Sequence, residues 1–191
     1  VQDVIFRQTN WATARVLQKN GCEVIVPSSQ GCCGAIHFHA GSSPEAQQLA
    51  DQNLGAFDPD DVDAIIINVA GCGSMLKEYG DHWDDDQQAD RQQFANKVMD
   101  ISEFLDQLGL IPPEGSLPLQ ATYHDACHLV HAQRISSQPR TILKAIPGLE
   151  LAEMEQSSMC CGGAGIYSSV QPDLSEKILD VKMGNIAATG A

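Results

Sequence analysis

Two cysteine pairs, each followed by glycine, constrain this chain more than any other feature of its sequence. They are Cys32-Cys33-Gly34 and Cys160-Cys161-Gly162, in a chain of 191 residues that contains seven cysteines. Adjacent cysteines bridge each other poorly, because a disulfide needs Cα atoms about 5.5 Å apart and a nearly perpendicular torsion. An acidic chain of this kind favours a reducing compartment, in which clustered thiols more often hold metal than form disulfides. The cysteines therefore predict a metal site.

Charge and hydropathy exclude several classes of partner. The net charge is −14, with 43% apolar and 19% charged residues, which is ordinary for a globular protein. Such an acidic surface repels polyanions, so nucleic acid and anionic membrane are not expected as partners. No apolar run approaches the roughly 18 residues that a membrane span needs, so we expect no direct membrane insertion.

The first 110 residues are expected to form a strand–helix–strand unit. Two apolar runs predict buried parallel strands, Glu23–Val26 and Ala64–Val69. A helix should run from the capping Ser42, with Pro44 in its first turn, to about Phe57. Further helices are predicted over Thr9–Lys19, Asp84–Met99 and Ile101–Leu108. Strand, helix and strand in this order indicate a right-handed βαβ crossover.

The remaining residues repeat this pattern after a linker over 111–118. The predicted elements of the segment 119–191 are strand Leu119–Tyr123, a helix over Cys127–Ala145 interrupted near Pro139, strand Leu149–Met154 and helix Pro172–Ala188. The fold class expected from this order is α/β, with two tandem Rossmann-like βαβ units over 1–110 and 119–191.

An internal repeat relates the two halves. Cys32-Cys33-Gly34 aligns with Cys160-Cys161-Gly162 at an offset of 128 residues, and the same offset places Pro44 on Pro172. One inserted residue later, the segment 49–55 matches 178–184 in its apolar pattern. By this register the counterpart of Asp63 would be residue 192, so the second unit is expected to be truncated at its C-terminal end.

Each half is expected to bring several thiols to one edge of its sheet. The carboxyl ends of parallel strands meet at the edge where open α/β folds bind ligands. Glycines beside the thiols allow backbone to approach an inorganic group and supply amides that hydrogen-bond its sulfurs. Cys22 has no neighbouring thiol and is interpreted as a core residue. The predicted ligands for metal and cofactor are Cys32, Cys33, Cys72, Cys127, Cys160 and Cys161.

The spacing of these cysteines resembles the CCG motif of the cysteine-rich domain family. In that motif a cysteine precedes Cys-Cys-Gly by 31 to 39 residues, and a further cysteine follows after about 36. Thirty-two residues separate Cys127 from Cys160, and 38 separate Cys33 from Cys72. The motif is incomplete: Met75 stands at its last cysteine position, and the opening cysteine of the first half would precede Val1.

Further segments carry a narrower resemblance within this family: 31–35, 71–73 leading to 77–80, 131–133, 160–162 leading to Tyr167 and 172–174, and 182–183. In them the chain resembles the C-terminal part of glycolate oxidase iron–sulfur subunits. The resemblance implies an iron–sulfur cluster, of the 4Fe-4S type, held by the six cysteines. It implies electron transfer from a flavin-containing partner subunit, which oxidises a 2-hydroxy acid, to an acceptor, and no catalytic residue in this chain. It also implies a cytoplasmic protein that is peripheral at the inner membrane face through its complex. Three thiolates at each site hold a cluster weakly, so we expect a fragment isolated in air to be metal-free or zinc-bound.

Two alternatives stay open at this stage. In the same family, heterodisulfide reductases use the cluster for catalysis on a disulfide, so the chain could be an enzyme of that kind. The other is a zinc-stabilised structural module. His124, Cys127, His128 and His131 are spaced three and four residues apart and would share one helical face, where N and S ligands suit tetrahedral zinc. No Ser-His-Asp arrangement or carboxylate pair supports a hydrolase.

Overall fold

Short parallel strands set among helices make up both halves of the chain. The computed structural model describes residues 2–191 and divides into two units, Val1–Ile111 (unit 1) and Pro112–Ala191 (unit 2). The coarse prediction of a mixed α/β protein with parallel strand pairs is confirmed. None of the helices within residues 2–191 has the length and apolar character that a membrane crossing requires.

Unit 1 is built mainly from helices. In chain order its elements are α1 (Gln2–Ile5), α2 (Arg7–Lys19), α3 (Ala35–His39), α4 (Ser43–Leu54), β1 (Ile65–Ile67), α5 (Ala70–Lys77), α6 (Tyr79–His82), α7 (Gln88–Lys97), β2 (Val98–Asp100) and α8 (Ile101–Leu108). The predicted helices over 9–19, 42–57 and 101–108 are therefore confirmed with shifts of a few residues at their ends.

The strand pair of unit 1 joins β1 to β2 in parallel, with Ile65 opposite Val98 and Ile67 opposite Asp100. The predicted end of the polar helix at Met99 is wrong, because that helix stops at Lys97 and the next three residues form β2. Asp100 then caps α8: its carboxylate accepts the Ser102 N–H at 2.8 Å, and Glu103 accepts the Asp100 N–H at 3.3 Å. A strand of three residues between two helices leaves almost no periodic signal in the sequence.

The predicted strand Glu23–Val26 is also wrong. The segment forms no ladder with any described residue, and the side chains of Ile25 and Val26 are 60% and 69% exposed. The neighbour of β1 is β2, so the expected βαβ crossover runs instead through α5, α6 and α7. Apolar, β-branched residues favour extended backbone, but a strand exists only where another strand accepts its hydrogen bonds.

The core of unit 1 lies between α4, β1 and the helices that follow β1. Ala46, Ala50, Tyr79 and Phe94 are all at most 1% exposed there, and Cys33 belongs to the same cluster. Alanine at the inner face of α4 lets this helix pack closely against the loop that carries the first cysteine pair. The core therefore places one thiol of that pair in apolar surroundings.

Unit 2 has fewer regular elements and a smaller apolar interior. Its elements are β3 (Gln120–Thr122), a π-helical turn (His128–Ala132), α9 (Gln138–Lys144), β4 (Glu150–Ala152), α10 (Tyr167–Val170) and α11 (Pro172–Ala187). The strands β3 and β4 pair in parallel, with Ala121 opposite Leu151. Both predicted strands and the long C-terminal helix are confirmed, in shortened form.

The predicted helix Cys127–Ala145 is broken more deeply than expected. Its first part is the π-helical turn, and α9 begins only at Gln138, with Pro139 in its first turn. Proline lacks an N–H and therefore starts a helix more readily than it continues one. The break ends the helical segment that follows Cys127 after little more than one turn.

Candidate thiol sites

Three of the four cysteine groups follow the carboxyl end of a parallel strand. Cys72 lies in the first turn of α5 after β1, Cys127 comes after β3, and the pair Cys160-Cys161 comes after β4. The pair Cys32-Cys33 was predicted to follow a strand too, but it follows the exposed stretch without a ladder instead. The expected placement at strand ends therefore holds for β1, β3 and β4.

Unit 1 brings its three predicted ligands together. Cys33 is buried, Cys72 is half-buried and Cys32 is exposed. Cys33 belongs to the core cluster, and Cys72 packs against that cluster. The interaction with Cys72, together with burial, raises the pKa of Cys33 well above its usual range, and the interaction with Cys33 lowers the pKa of Cys72.

A buried amide and a buried phenol fix the backbone of this cysteine pair. Asn53 accepts the Gly31 N–H at 2.8 Å and donates to the Cys32 carbonyl at 3.1 Å. Asn53 also donates to the Tyr79 hydroxyl, which in turn donates to the Cys33 carbonyl at 2.9 Å. Burial raises the pKa of Tyr79 above its usual range, so this hydroxyl stays protonated as a donor. Sequence reasoning missed both residues; polar side chains on the inner face of α4 and at the start of α6 were the available signal.

The glycine after each cysteine pair permits a close approach of helix and loop. Gly34 has φ +81, and a Cβ there would lie 3.0 Å from the carbonyl oxygen of Ala46 in α4. Gly162 has φ +86, and a Cβ there would lie 2.5 Å from the carbonyl oxygen of Ser175 in α11. Both positions combine the left-handed backbone that favours glycine with a lack of space for any side chain. The glycines of the two CCG sequences are thus required for the same local geometry.

The second cysteine pair is more open than the first. Cys160 and Cys161 are both exposed, and the Gly162 N–H donates to Cys160 Sγ at 3.3 Å. This contact is of the kind expected from the sequence, in which glycine amides hydrogen-bond sulfur. The half-buried Cys127 has its Sγ 3.6 Å from His128 Nδ1. Among residues 2–191, no hydrogen bond joins Cys127 to either cysteine of the pair, so the structure groups the unit 2 thiols less tightly than those of unit 1.

The loops before Cys127 and Cys160 are nevertheless tied together at Ser157. The Ser157 carbonyl accepts the Asp125 N–H at 3.1 Å and the Lys182 ammonium at 2.7 Å. Asp125 is buried and forms two bonds to Arg140, at 2.7 and 2.8 Å. The pKa of Asp125 lies below its usual range, mainly because the Arg140 guanidinium donates hydrogen bonds to it. We call Asp125, Ser157 and Lys182 the Ser157 clasp.

The histidines of the zinc alternative do not converge. His131 is exposed, and the buried Nδ1 of His124 has no hydrogen-bond partner among residues 2–191. Burial lowers the pKa of His124. In the described part of the chain, no group of three or more His, Cys, Asp or Glu side chains is arranged to hold a single metal ion. Because this applies to the cysteine sets as well, their role as ligands stays a prediction.

Two further sequence predictions concern single residues. One is Met75, at a position where the motif has cysteine, and the other is Cys22, which was interpreted as a core residue. Met75 stands at the last cysteine position of the motif and is 2% exposed, packed in the core of unit 1. Cys22 is half-buried and lies outside that core cluster, so its interpretation as a core residue is wrong. The donor set of unit 1 is three free thiols beside glycines, a chemistry that suits thiolate ligation of an iron–sulfur group.

Comparison with known proteins decides the family. The profile of a family described as cysteine-rich domain, CCG, matches residues 1–77 and 121–191, which is more than half of the chain. The chain belongs to this family. The two matched ranges contain all six predicted ligands, so both CCG sequences lie in segments typical of the cysteine-rich domain.

Several curated proteins are similar to the whole chain. It is 43% identical to a probable glycolate oxidase iron-sulfur subunit of Bacillus subtilis, covering 100% of the chain and 44% of that protein. It is 31% identical to lactate utilization protein A of Shouchella clausii, covering 99% of the chain and 80% of that protein. A subunit of the fumarate reductase (CoM/CoB) of Methanothermobacter marburgensis is 37% identical over 87% of the chain and 32% of its own length. The chain thus spans less than half of the first and third of these relatives.

Proposed function

We propose that this chain is the cluster-bearing part of an iron–sulfur subunit that transfers electrons within an oxidoreductase complex. The observation that carries the proposal is that Cys72 packs against the core cluster that contains Cys33, beside Cys32 and the glycines that flank the pair, in a chain of the cysteine-rich domain family. Relatives named as iron-sulfur subunits support it. Cys32, Cys33 and Cys72 would hold one cluster, of the 4Fe-4S type, and Cys127, Cys160 and Cys161 another. A bound cluster would supply one-electron oxidation and reduction.

The chain's own residues shape each site. In unit 1, Asn53 and Tyr79 fix the carbonyls of the cysteine pair, and the interaction with Cys33 lowers the pKa of Cys72. In unit 2, the Gly162 N–H donates to the sulfur of Cys160, a proposed ligand, and would stabilise negative charge on that sulfur. The matching glycine geometry at Gly34 and Gly162 supports a repeat of two related, Rossmann-like units. The proposed domain limits remain 1–110 and 119–191, with a linker over 111–118.

The proposed partner is a flavin-containing subunit that oxidises a 2-hydroxy acid such as glycolate, in a cytoplasmic complex at the inner membrane face. The name of the Bacillus subtilis relative supports the substrate class. With a net charge of −14, the chain should dock on a basic or apolar face of that subunit. If charge steers the encounter, association should slow as salt is raised.

The experiment that tests the proposal is spectroscopy on chain prepared and reconstituted without oxygen. We expect broad visible absorption that bleaches on reduction, together with an EPR signal of a reduced cluster. Turnover of a disulfide substrate by the chain would favour the heterodisulfide reductase alternative instead. Zinc without iron, bound with full retention of fold, would favour the structural module and contradict the proposal.

A further inference from the structure

A buried cation lies under the loop that carries the second cysteine pair, at a position where unit 1 has a neutral residue. Lys182 in α11 is 2% exposed, and its Nζ donates to the carbonyls of Gln156, Ser157 and Met159 at 3.2, 2.7 and 3.1 Å. A neutral amine has only two N–H groups, whereas an ammonium has three. The three carbonyl acceptors therefore indicate that Lys182 is charged. The ammonium lies under the loop that leads into Cys160.

A neutral residue has the equivalent position in unit 1. Asn53 follows Cys33 by 20 residues, and Lys182 follows Cys161 by 21, in agreement with the single inserted residue of the repeat register. Asn53 is 3% exposed and bonds the backbone of Gly31 and Cys32, just as Lys182 bonds the backbone that precedes Cys160. Holding a CCG loop to the following helix therefore needs no charge, so the charge of Lys182 is an additional property of unit 2.

This charge is not cancelled by a direct ion pair. Within residues 2–191, Lys182 forms no salt bridge, and all its hydrogen bonds go to carbonyls. The nearby carboxylate of Asp125 is bonded twice to Arg140. The ammonium lies close to the second cysteine pair, because it bonds the carbonyl of Met159, the residue directly before Cys160, at 3.1 Å. Burial lowers the pKa of Lys182.

We propose that Lys182 is a positioning residue that holds the loop before Cys160 through the Ser157 clasp and raises the reduction potential of the group bound by the unit 2 thiols. A reduced cluster carries one more negative charge than the oxidised one, and a fixed cation in a poorly solvated place stabilises that charge. This inference rests on the proposed iron–sulfur function. Unit 2 thus has a fixed positive charge, Lys182, at the position where unit 1 has the neutral amide of Asn53.

The test is a potentiometric titration, followed by EPR, of chain reconstituted without oxygen. Lys182→Gln keeps part of the hydrogen bonding and loses the charge, and Lys182→Met loses both. Lys177→Gln removes a charge from an exposed position of the same helix and serves as the matched control. We expect both Lys182 variants to lower the reduction potential of one cluster by at least about 59 mV, which corresponds to a tenfold change in the one-electron equilibrium constant. The potential of the other cluster should not change. A shift no larger than that of Lys177→Gln would overturn the electrostatic role.

Amide hydrogen exchange on the metal-free chain tests the positioning role independently of any cluster. Loss of three charge-assisted bonds should raise exchange at least tenfold in residues 156–163 of Lys182→Met, with no change in Lys177→Gln. Unchanged exchange in this segment would overturn the clasp. If the unsubstituted chain binds no iron, the proposed function fails, while hydrogen exchange still decides whether Lys182 holds the loop.

Discussion

Replacing Gly162 by alanine should destabilise unit 2 far more than the same change at a glycine with free space. Gly162 has φ +86, and its new Cβ would lie 2.5 Å from the Ser175 carbonyl oxygen and 3.0 Å from Ser175 Oγ. Gly165→Ala is the matched control, because Gly165 has φ +63 but nothing within 4 Å of a built Cβ. Both variants incur the left-handed backbone penalty of alanine, about 1–2 kcal/mol.

Only Gly162→Ala adds a clash with helix backbone. Forcing an extra methyl group into a packed contact costs about 1–3 kcal/mol, because α11 must move away from the CCG loop. We therefore expect Gly162→Ala to lose about 2–5 kcal/mol of unfolding free energy and Gly165→Ala about 1–2. The difference of about 1–3 kcal/mol measures the close approach itself.

The assay must report on unit 2 alone. Both tryptophans, Trp11 and Trp83, lie in unit 1, so tryptophan fluorescence would follow the wrong unit. Native-state hydrogen exchange in α11, measured over a urea series, gives the free energy of opening for this helix. Equal opening free energies in the two alanine variants would refute the argument that helix–loop contact, and not backbone conformation alone, requires Gly162.

Three other perturbations follow from the contacts of unit 1. Asn53→Ala should cost about 1–3 kcal/mol, because it removes the hydrogen bonds that this buried amide makes to the Gly31 N–H and the Cys32 carbonyl, and should reduce iron retention; the exposed Asn96→Ala is its control in urea unfolding and metal analysis. Arg91 is 0% exposed and pairs with Asp51 and Asp85, so Arg91→Met should lower the unfolding free energy by about 2–4 kcal/mol, and a loss below about 0.5 would contradict the structural role. The hydrogen bond from Arg91 lowers the pKa of Asp85 in the folded state, so this carboxylate contributes stability above its unfolded pKa, near 3.8, that is lost as the pH falls through the lower folded value. Asp85→Asn should therefore reduce the slope of the unfolding free energy against pH below about pH 4, and an unchanged slope would show that the pair does not contribute.

The sequence predicts long helices and the cysteine motif well because their signals are local. Pro172 and the apolar spacing behind it are sufficient for α11, and Asn20-Gly21 marks the end of α2. The failures concern pairing at a distance. Ile25 and Val26 have the composition of a strand without its partner, whereas Val98 and Met99 form a strand that is too short to be periodic.

The candidate sites show the same division between local and distant information. The cysteines and glycines could be chosen from spacing alone, because each lies within a short motif. Asn53, Tyr79 and Lys182 could not, because their partners lie 20 or more residues away and only the packing of a helix on its loop brings them together. A polar residue on the inner face of an otherwise apolar helix was the one sequence signal that could have indicated them.

Iron and acid-labile sulfide, measured on chain reconstituted without oxygen, test the proposed cluster sites most directly. The comparison needs the unsubstituted chain, Cys33→Ser for unit 1, Cys161→Ser for unit 2 and the double variant, with Cys22→Ser as the control outside both sets. We predict that each single variant loses the iron and sulfide of one site, that the double variant loses both and that Cys22→Ser loses neither. Iron content that is unaffected by Cys33→Ser and Cys161→Ser together would contradict the assignment of these thiols as cluster ligands.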